Sequence, residues 1–113
     1  MTVTNITIYR GVVFEHYVYI KDSAGRPQDF TGCTFSALLK DKPGGTTLAT
    51  FEVNTDTAPE ANVSSAGWVQ VRLDNSVTIP SQQYRGYWYL TISRTSGNPT
   101  IVEAGMADIA ALA

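Results

Sequence analysis

The sequence predicts an all-β fold, a small two-layered sandwich, on three observations. Some eight short segments alternate apolar and polar residues, turn residues punctuate them every ~8–12 positions, and no segment carries the 3.6-residue period of an amphipathic helix. With 113 residues the chain is long enough for one domain, residues 1–113, that buries roughly two thirds of the surface its extended form would expose.

The first strand is expected over Val3 to Tyr9, with Ile6 and Ile8 on the core face, and Arg10-Gly11 ends it. A second runs from Val12 to Lys21. Its core set is Phe14, His16, Val18 and Ile20, which leaves Val13, Glu15, Tyr17, Tyr19 and Lys21 on the other face. Asp22-Ser23-Ala24-Gly25-Arg26-Pro27 then reverses the chain: the aspartate caps its own backbone, Gly25 takes a positive φ, and Pro27 fixes re-entry. A third strand, Cys33 to Lys40, alternates Cys33, Phe35, Ala37 and Leu39 against Thr34, Ser36, Leu38 and Lys40, and Asp41-Lys42-Pro43-Gly44-Gly45 stops it.

Leu48 to Val53 forms the fourth strand through Ala49, Phe51 and Val53, and the polar stretch from Asn54 to Ala66 is the longest loop. After Gly67 the alternation returns, with Val69, Val71 and Leu73 inward and Trp68, Gln70 and Arg72 outward. Asp74 to Pro80 reads as a crossover between sheets carrying one helical turn capped by Asp74. Tyr87 to Ser93 places Trp88, Leu90 and Ile92 inward and Tyr87, Tyr89 and Thr91 outward. Thr95-Ser96-Gly97-Asn98-Pro99 then turns the chain into a last strand, Thr100 to about Ile109. Seven to eight antiparallel strands with these connections make an immunoglobulin-like, Greek-key sandwich, without the Cys-Trp-Cys signature of antibody domains.

One cysteine, Cys33, excludes an internal disulfide, so packing of the 43% hydrophobic residues must hold the fold. The chain opens without a basic, then apolar leader and has no ~18-residue apolar run, so synthesis in the cytoplasm and no membrane span are expected. Eight basic against ten acidic residues, with the basic ones scattered, leave no nucleic-acid footprint. Charged residues make up only 16%, against the ~25% usual in soluble domains, and such a surface suits contact with other proteins.

The candidates for chemistry are few. His16 shares the phase of Phe14 and Val18 and reads as a hydrogen-bonded core or edge histidine. Cys33 reads as a small buried hydrophobe, and a Cys33–His16 dyad requires neighbouring strands. The oxygens of Asn54, Asp56, Glu60 and Asn62 lack the ordered ligand series of a calcium loop. Asn5-Ile6-Thr7 and Asn62-Val63-Ser64 match the glycosylation pattern by chance. Tyr84 is placed to bond a loop backbone as a corner tyrosine does. No cofactor, no metal and no enzymatic activity are expected.

The outward aromatics Tyr17, Tyr19, Trp68, Tyr87 and Tyr89 form the candidate site. Aromatics at strand spacing can anchor a protein interface, pair to stiffen the sheet, or stack on sugar rings, and all three readings stay open.

The succession Tyr9-Arg10-Gly11, Phe14, Lys21 to Pro27, and Asp29-Phe30-Thr31-Gly32-Cys33-Thr34 resembles small immunoglobulin-like structural proteins of tailed bacteriophages and prophages. The likeness continues through Lys42-Pro43-Gly44-Gly45, Leu48 to Phe51, Gly67 to Leu73, Ile79-Pro80 with Tyr84, Tyr89 to Ile92, Ser96-Gly97 and Glu103-Ala104-Gly105. Val12, Phe30 and Cys33 stand where that family usually has aspartate, leucine and alanine. The resemblance implies a non-enzymatic virion component that binds other particle proteins. The expected role is a capsid decoration or cement subunit contacting the major capsid protein, with a homo-oligomer possible on the particle. The alternatives are a tail or baseplate adaptor for a receptor-binding fibre, and a carbohydrate-binding module for host surface glycans.

Overall fold

In the computed structural model, described for residues 2–94, 97 and 99–111, eight strands form two sheets. They are β1 (Thr2–Val3), β2 (Ile6–Tyr9), β3 (Phe14–Tyr19), β4 (Cys33–Lys40), β5 (Thr47–Asn54), β6 (Trp68–Leu73), β7 (Arg85–Arg94) and β8 (Thr100–Ala110). The first sheet runs β1/β2, β8, β7, β4 and the start of β5; the second runs from the end of β5 through β6 to β3. β5 belongs to both. Ala49 to Phe51 pair with β4, while Glu52 to Asn54 pair with β6, so one strand crosses from sheet to sheet. This is an immunoglobulin-like β-sandwich, as the alternation predicts.

Its core is the inward set of both sheets. Trp88, Leu90, Leu39, Ala37, Val69 and Val71 are fully buried, with Ile8, Phe51 and Ile109 beside them. Each large apolar side chain in this layer contributes on the order of 1.5–3 kcal/mol through its removal from water. The strands to which alternation assigns a core face, β2 to β7, keep that phase. The 22–27 reversal also forms as expected: Asp22 Oδ1 accepts from the N–H groups of Ala24 and Arg26, Gly25 has φ 81°, and Lys21 bridges Pro27.

Three expectations are corrected. The sheet is not wholly antiparallel, because β1 and β2 run parallel to β8. The first strand is broken at Thr4-Asn5, and the cause lies far along the chain at Gly105. The Thr4 carbonyl crosses this glycine so closely that a Cβ there would overlap it, and it accepts a hydrogen bond from the Trp88 indole Nε1 at 2.8 Å. Asn5 Oδ1 then accepts from Met106 N–H at 3.1 Å, replacing the ladder bond lost at the break. Third, the 74–80 crossover does link the second sheet to the first, but it holds a turn and no helix. Asp74 Oδ1 accepts from Asn75 N–H and its Oδ2 from the Ser76 hydroxyl, so its carboxylate is spent locally. Of the turn expected over 95–99, Thr95, Ser96 and Asn98 lie outside the described residues.

Candidate interaction faces

Register decides which aromatics share a surface. β3 pairs with β6 so that Tyr19 faces Trp68, Tyr17 faces Gln70 and Glu15 faces Arg72. β6 pairs with β5 so that Gln70 faces Asn54 and Arg72 faces Glu52. The outer face of the second sheet is therefore three cross-strand rows, and the Tyr17 hydroxyl, which donates to Glu15 Oε2 at 3.5 Å, ties the amide row to the charged one. In the charged row, Arg72 Nη1 lies 3.2 Å from Glu52 and its other nitrogens lie near Glu15 and Asp74. In the amide row, Gln70 Nε2 donates to the Tyr17 hydroxyl at 3.0 Å, and Asn54 Nδ2 donates to Gln70 Oε1 at 2.9 Å. Gln70 is only 6% exposed although it points outward, because these partners cover it. In the aromatic row, the Tyr19 and Trp68 rings pack 5.0 Å apart at 47°, with Lys21 Nζ 5.8 Å from the Tyr19 centroid.

Tyr87 and Tyr89 lie on the opposite side of the molecule. They project from β7 on the outer face of the first sheet, 6.0 Å apart. Tyr89 faces Leu38 and Ala104, and Val3 extends that row across β8; Tyr87 faces Lys40 and Met106; Thr91 faces Ile101. Val3, Met106 and Ile101 are 69%, 43% and 41% exposed. The charged groups here are Lys40, whose ammonium sits over the Tyr89 ring, and the rim pair Arg85–Asp108. The face thus joins exposed apolar side chains around two tyrosines to one lysine and a charged pair at its edge, a composition that association surfaces share.

The five aromatics consequently do not form one site. Their outward phase is as predicted, but Tyr17, Trp68, Tyr87 and Tyr89 are half-buried, since cross-strand neighbours cover them. Three serve one face and two the other. Sequence reasoning passed over Val3, Ile101 and Met106, whose membership follows only from the pairing of β8 with β1 and β7.

The remaining candidates are accounted for. His16 Nε2–H donates to Glu103 Oε1 at 2.7 Å, an interlayer bond between β3 and β8 beneath the edge of Trp88. Glu103, 6% exposed, is the buried carboxyl group that alternation did not single out. Cys33 is half-buried on β4, which is not a neighbour of β3, so the dyad does not form. Asn54 is spent on Gln70, and Asp56 Oδ1 accepts from the Thr57 hydroxyl. Tyr84 is 72% exposed, which contradicts a corner tyrosine. Arg10 ties the corner instead: its guanidinium donates to the carbonyls of Ile79, Pro80 and Gln83. A cleft of about 230 Å³ beside Arg10 is lined by Ile8, Val12, Leu73 and Val77, and a wider hollow of about 360 Å³ lies by Ile92, Arg94, Gly97 and Thr100.

Strand order and phase define the class as an immunoglobulin-like sandwich module. No family model and no curated protein matches the chain. Among solved structures it is similar over its whole length to 13% of an endo-fucoidan hydrolase of glycoside hydrolase family 107, with a TM-score of 0.55 and 10% identity. It is similar over 94% of its length to 54% of the SrpA adhesin from Streptococcus sanguinis, with a TM-score of 0.48 and 22% identity. Over 92% it is similar to 82% of the Lin-41 filamin domain, with a TM-score of 0.42 and 21% identity. The chain spans far less than two thirds of the hydrolase, and at such identities the likeness concerns the fold alone.

Proposed function

We propose that the chain is a non-enzymatic structural protein of a bacteriophage particle that docks on another virion protein through the outer face of its first sheet. The observation that carries this reading is the apolar band of that face. There Val3, Ile101 and Met106 remain exposed around Tyr87 and Tyr89, whereas Gln70, Asn54 and Arg72 of the opposite face are paired within it. Aromatic and Met side chains grouped on one sheet face, with Lys40 the charge beside the tyrosines and Arg85–Asp108 at the rim, suit a protein partner. The sequence resemblance to phage sandwiches supplies the particle as the setting.

Within that setting the reading is a capsid decoration or cement subunit. The 113 residues contain neither heptads nor a collagen-like repeat with which to build a fibre. A glycan module is less well supported, because it needs a flat aromatic strip. Tyr19 and Trp68 instead pack at 47° to one another, and Tyr87 and Tyr89 lie on the far face.

The test is electron cryomicroscopy of purified particles from the phage or induced prophage that encodes the chain. Density for a 44 × 34 × 21 Å sandwich repeating over the shell, first sheet inward, is the expected result. Density confined to the tail would replace the capsid role with an adaptor role. Absence from the virion would overturn the structural reading.

A further inference from the structure

Among the described residues β3 pairs with β6 on one side and with nothing on the other. Both β1 and β2 go to β8, so no strand covers this edge of the second sheet. Which backbone groups are left over can be worked out. Ile20 N–H donates to the Gly67 carbonyl at 2.8 Å, on the β6 side. Successive residues of an extended strand turn their N–H and C=O to opposite sides, so Phe14, His16 and Val18 share the β6 side with Ile20. Glu15, Tyr17 and Tyr19 point theirs outward. The Lys21–Pro27 bridge agrees, because it is made by the flanking groups, Asp22 N–H to Arg26 O and Gln28 N–H to Ile20 O. Lys21 therefore also turns its own groups to the open side.

Of the devices that normally guard a free strand, this edge has no proline and no bulge, and its one inward polar group, His16, is paired with Glu103; charge is the single device it keeps, as Glu15 and Lys21. It is also complementary to itself. In a two-fold antiparallel pairing centred on Val18, Glu15 falls opposite Lys21 of the second copy, and Tyr17 falls opposite Tyr19. These are the residues whose backbone groups face outward, so each pair exchanges two backbone hydrogen bonds. Moving the register one step either way, to a centre on Tyr17 or on Tyr19, puts Glu15 opposite Tyr19 or Ser23 and breaks the charge match. Lys21 is available, since its ammonium rests on the Tyr19 ring and has no carboxylate of its own among the described ion pairs. Glu15 is held only loosely: its Oε1 lies 4.0 Å from an Arg72 already shared with Glu52 and Asp74, and its Oε2 accepts a long bond, 3.5 Å, from the Tyr17 hydroxyl.

We infer that a second copy of this chain is the occupant of the β3 edge, joining the two second sheets into one continuous sheet in the register Glu15–Lys21, Tyr17–Tyr19, Val18–Val18. A closed two-fold contact of this kind uses the same patch on both copies and leaves the outer face of each first sheet free.

Sedimentation of the full chain over a concentration series tests this, with amide hydrogen exchange as a second readout. A dimer is expected. Glu15→Lys and Lys21→Glu each replace two attractions with two repulsions and should weaken it about tenfold or more. The double exchange Glu15→Lys/Lys21→Glu should restore it, and the amides of Tyr17 and Tyr19 should gain protection as concentration rises while those of His16 and Val18 are protected throughout. A wild-type chain that stays monomeric to millimolar concentration would overturn the inference. So would a dimer that survives both single variants, or one abolished by Met106→Ser with no change in Tyr17 and Tyr19 exchange.

Discussion

The two outer faces of the sandwich have similar aromatic content and opposite economies. On the second sheet, arginine sits among three carboxylates, a glutamine is clamped between a tyrosine and an asparagine, and tryptophan leans on tyrosine. On the first sheet the tyrosines pack on each other and on Leu38, while Val3, Ile101 and Met106 stay open to water. The first arrangement spends its side chains on the fold. The second leaves them for something else. Aromatic spacing alone therefore does not identify a binding face; what matters is whether the neighbours across the ladder have already used the groups.

Several substitutions would break or sharpen that contrast. The largest effect belongs to the bond that holds the two sheets in register. His16→Ala leaves the Glu103 carboxyl between the layers without its partner, and urea unfolding should register a loss of about 2–3 kcal/mol. Glu103→Gln keeps an acceptor for His16 and should cost well under half of that; equal losses would mean that the bond between them is not what stabilises the layer contact. Next comes Gly105→Ala, which drives a methyl into the Thr4 carbonyl and displaces the Trp88 hydrogen bond. Overpacking against backbone should cost about 1–3 kcal/mol, read as a fall in the thermal midpoint.

Gln70→Ala then compares the faces directly. It leaves Tyr17 and Asn54 without their shared partner and should lose about 1–3 kcal/mol, whereas Met106→Ser or Val3→Ser on the other face should change stability by less than about 0.5 kcal/mol. Comparable losses from both sets would dissolve the distinction. The smallest effect is acid-linked. Hydrogen bonds from Ser76 and Asn75, with Arg72 nearby, hold the Asp74 carboxyl below the usual carboxylate value, and bonds from Thr31 do the same for Asp29. A lowered folded-state pKa adds stability that is complete above the unfolded value and fades as pH falls through the folded one. Stability should therefore decline on acidification below the ordinary carboxylate range, with a shallower slope in Asp74→Asn.

Much of this molecule is legible in its sequence, and the boundary of legibility has a physical meaning. Alternation is a property of one strand, so the inward sets of β2 to β7 and the Asp22–Gly25 turn can be read from local residue types alone. Pairing is a property of two strands. The break at Thr4-Asn5 depends on Gly105 and Trp88, and Asn5 meets its partner 101 residues away. The transfer of β5 from sheet to sheet, the separation of Tyr17 and Tyr19 from Tyr87 and Tyr89, and the inward turn of Glu103 toward His16 are likewise fixed by partners, not by pattern. Tyr84 taught the converse lesson. A tyrosine before a strand looks like a corner residue, but Arg10 already binds the carbonyls such a hydroxyl would seek.

On the reading proposed above, a phage virion protein, the contrast between the faces is tested most directly on the particle. Phage would be grown with the chain replaced by Tyr87→Ser/Met106→Ser or by Trp68→Ser, each first confirmed as folded, and the copies retained on purified virions would be counted by quantitative mass spectrometry. The account predicts that the first variant is lost from the particles and the second stays at wild-type occupancy. Retention of the first, or loss of the second alone, would contradict it.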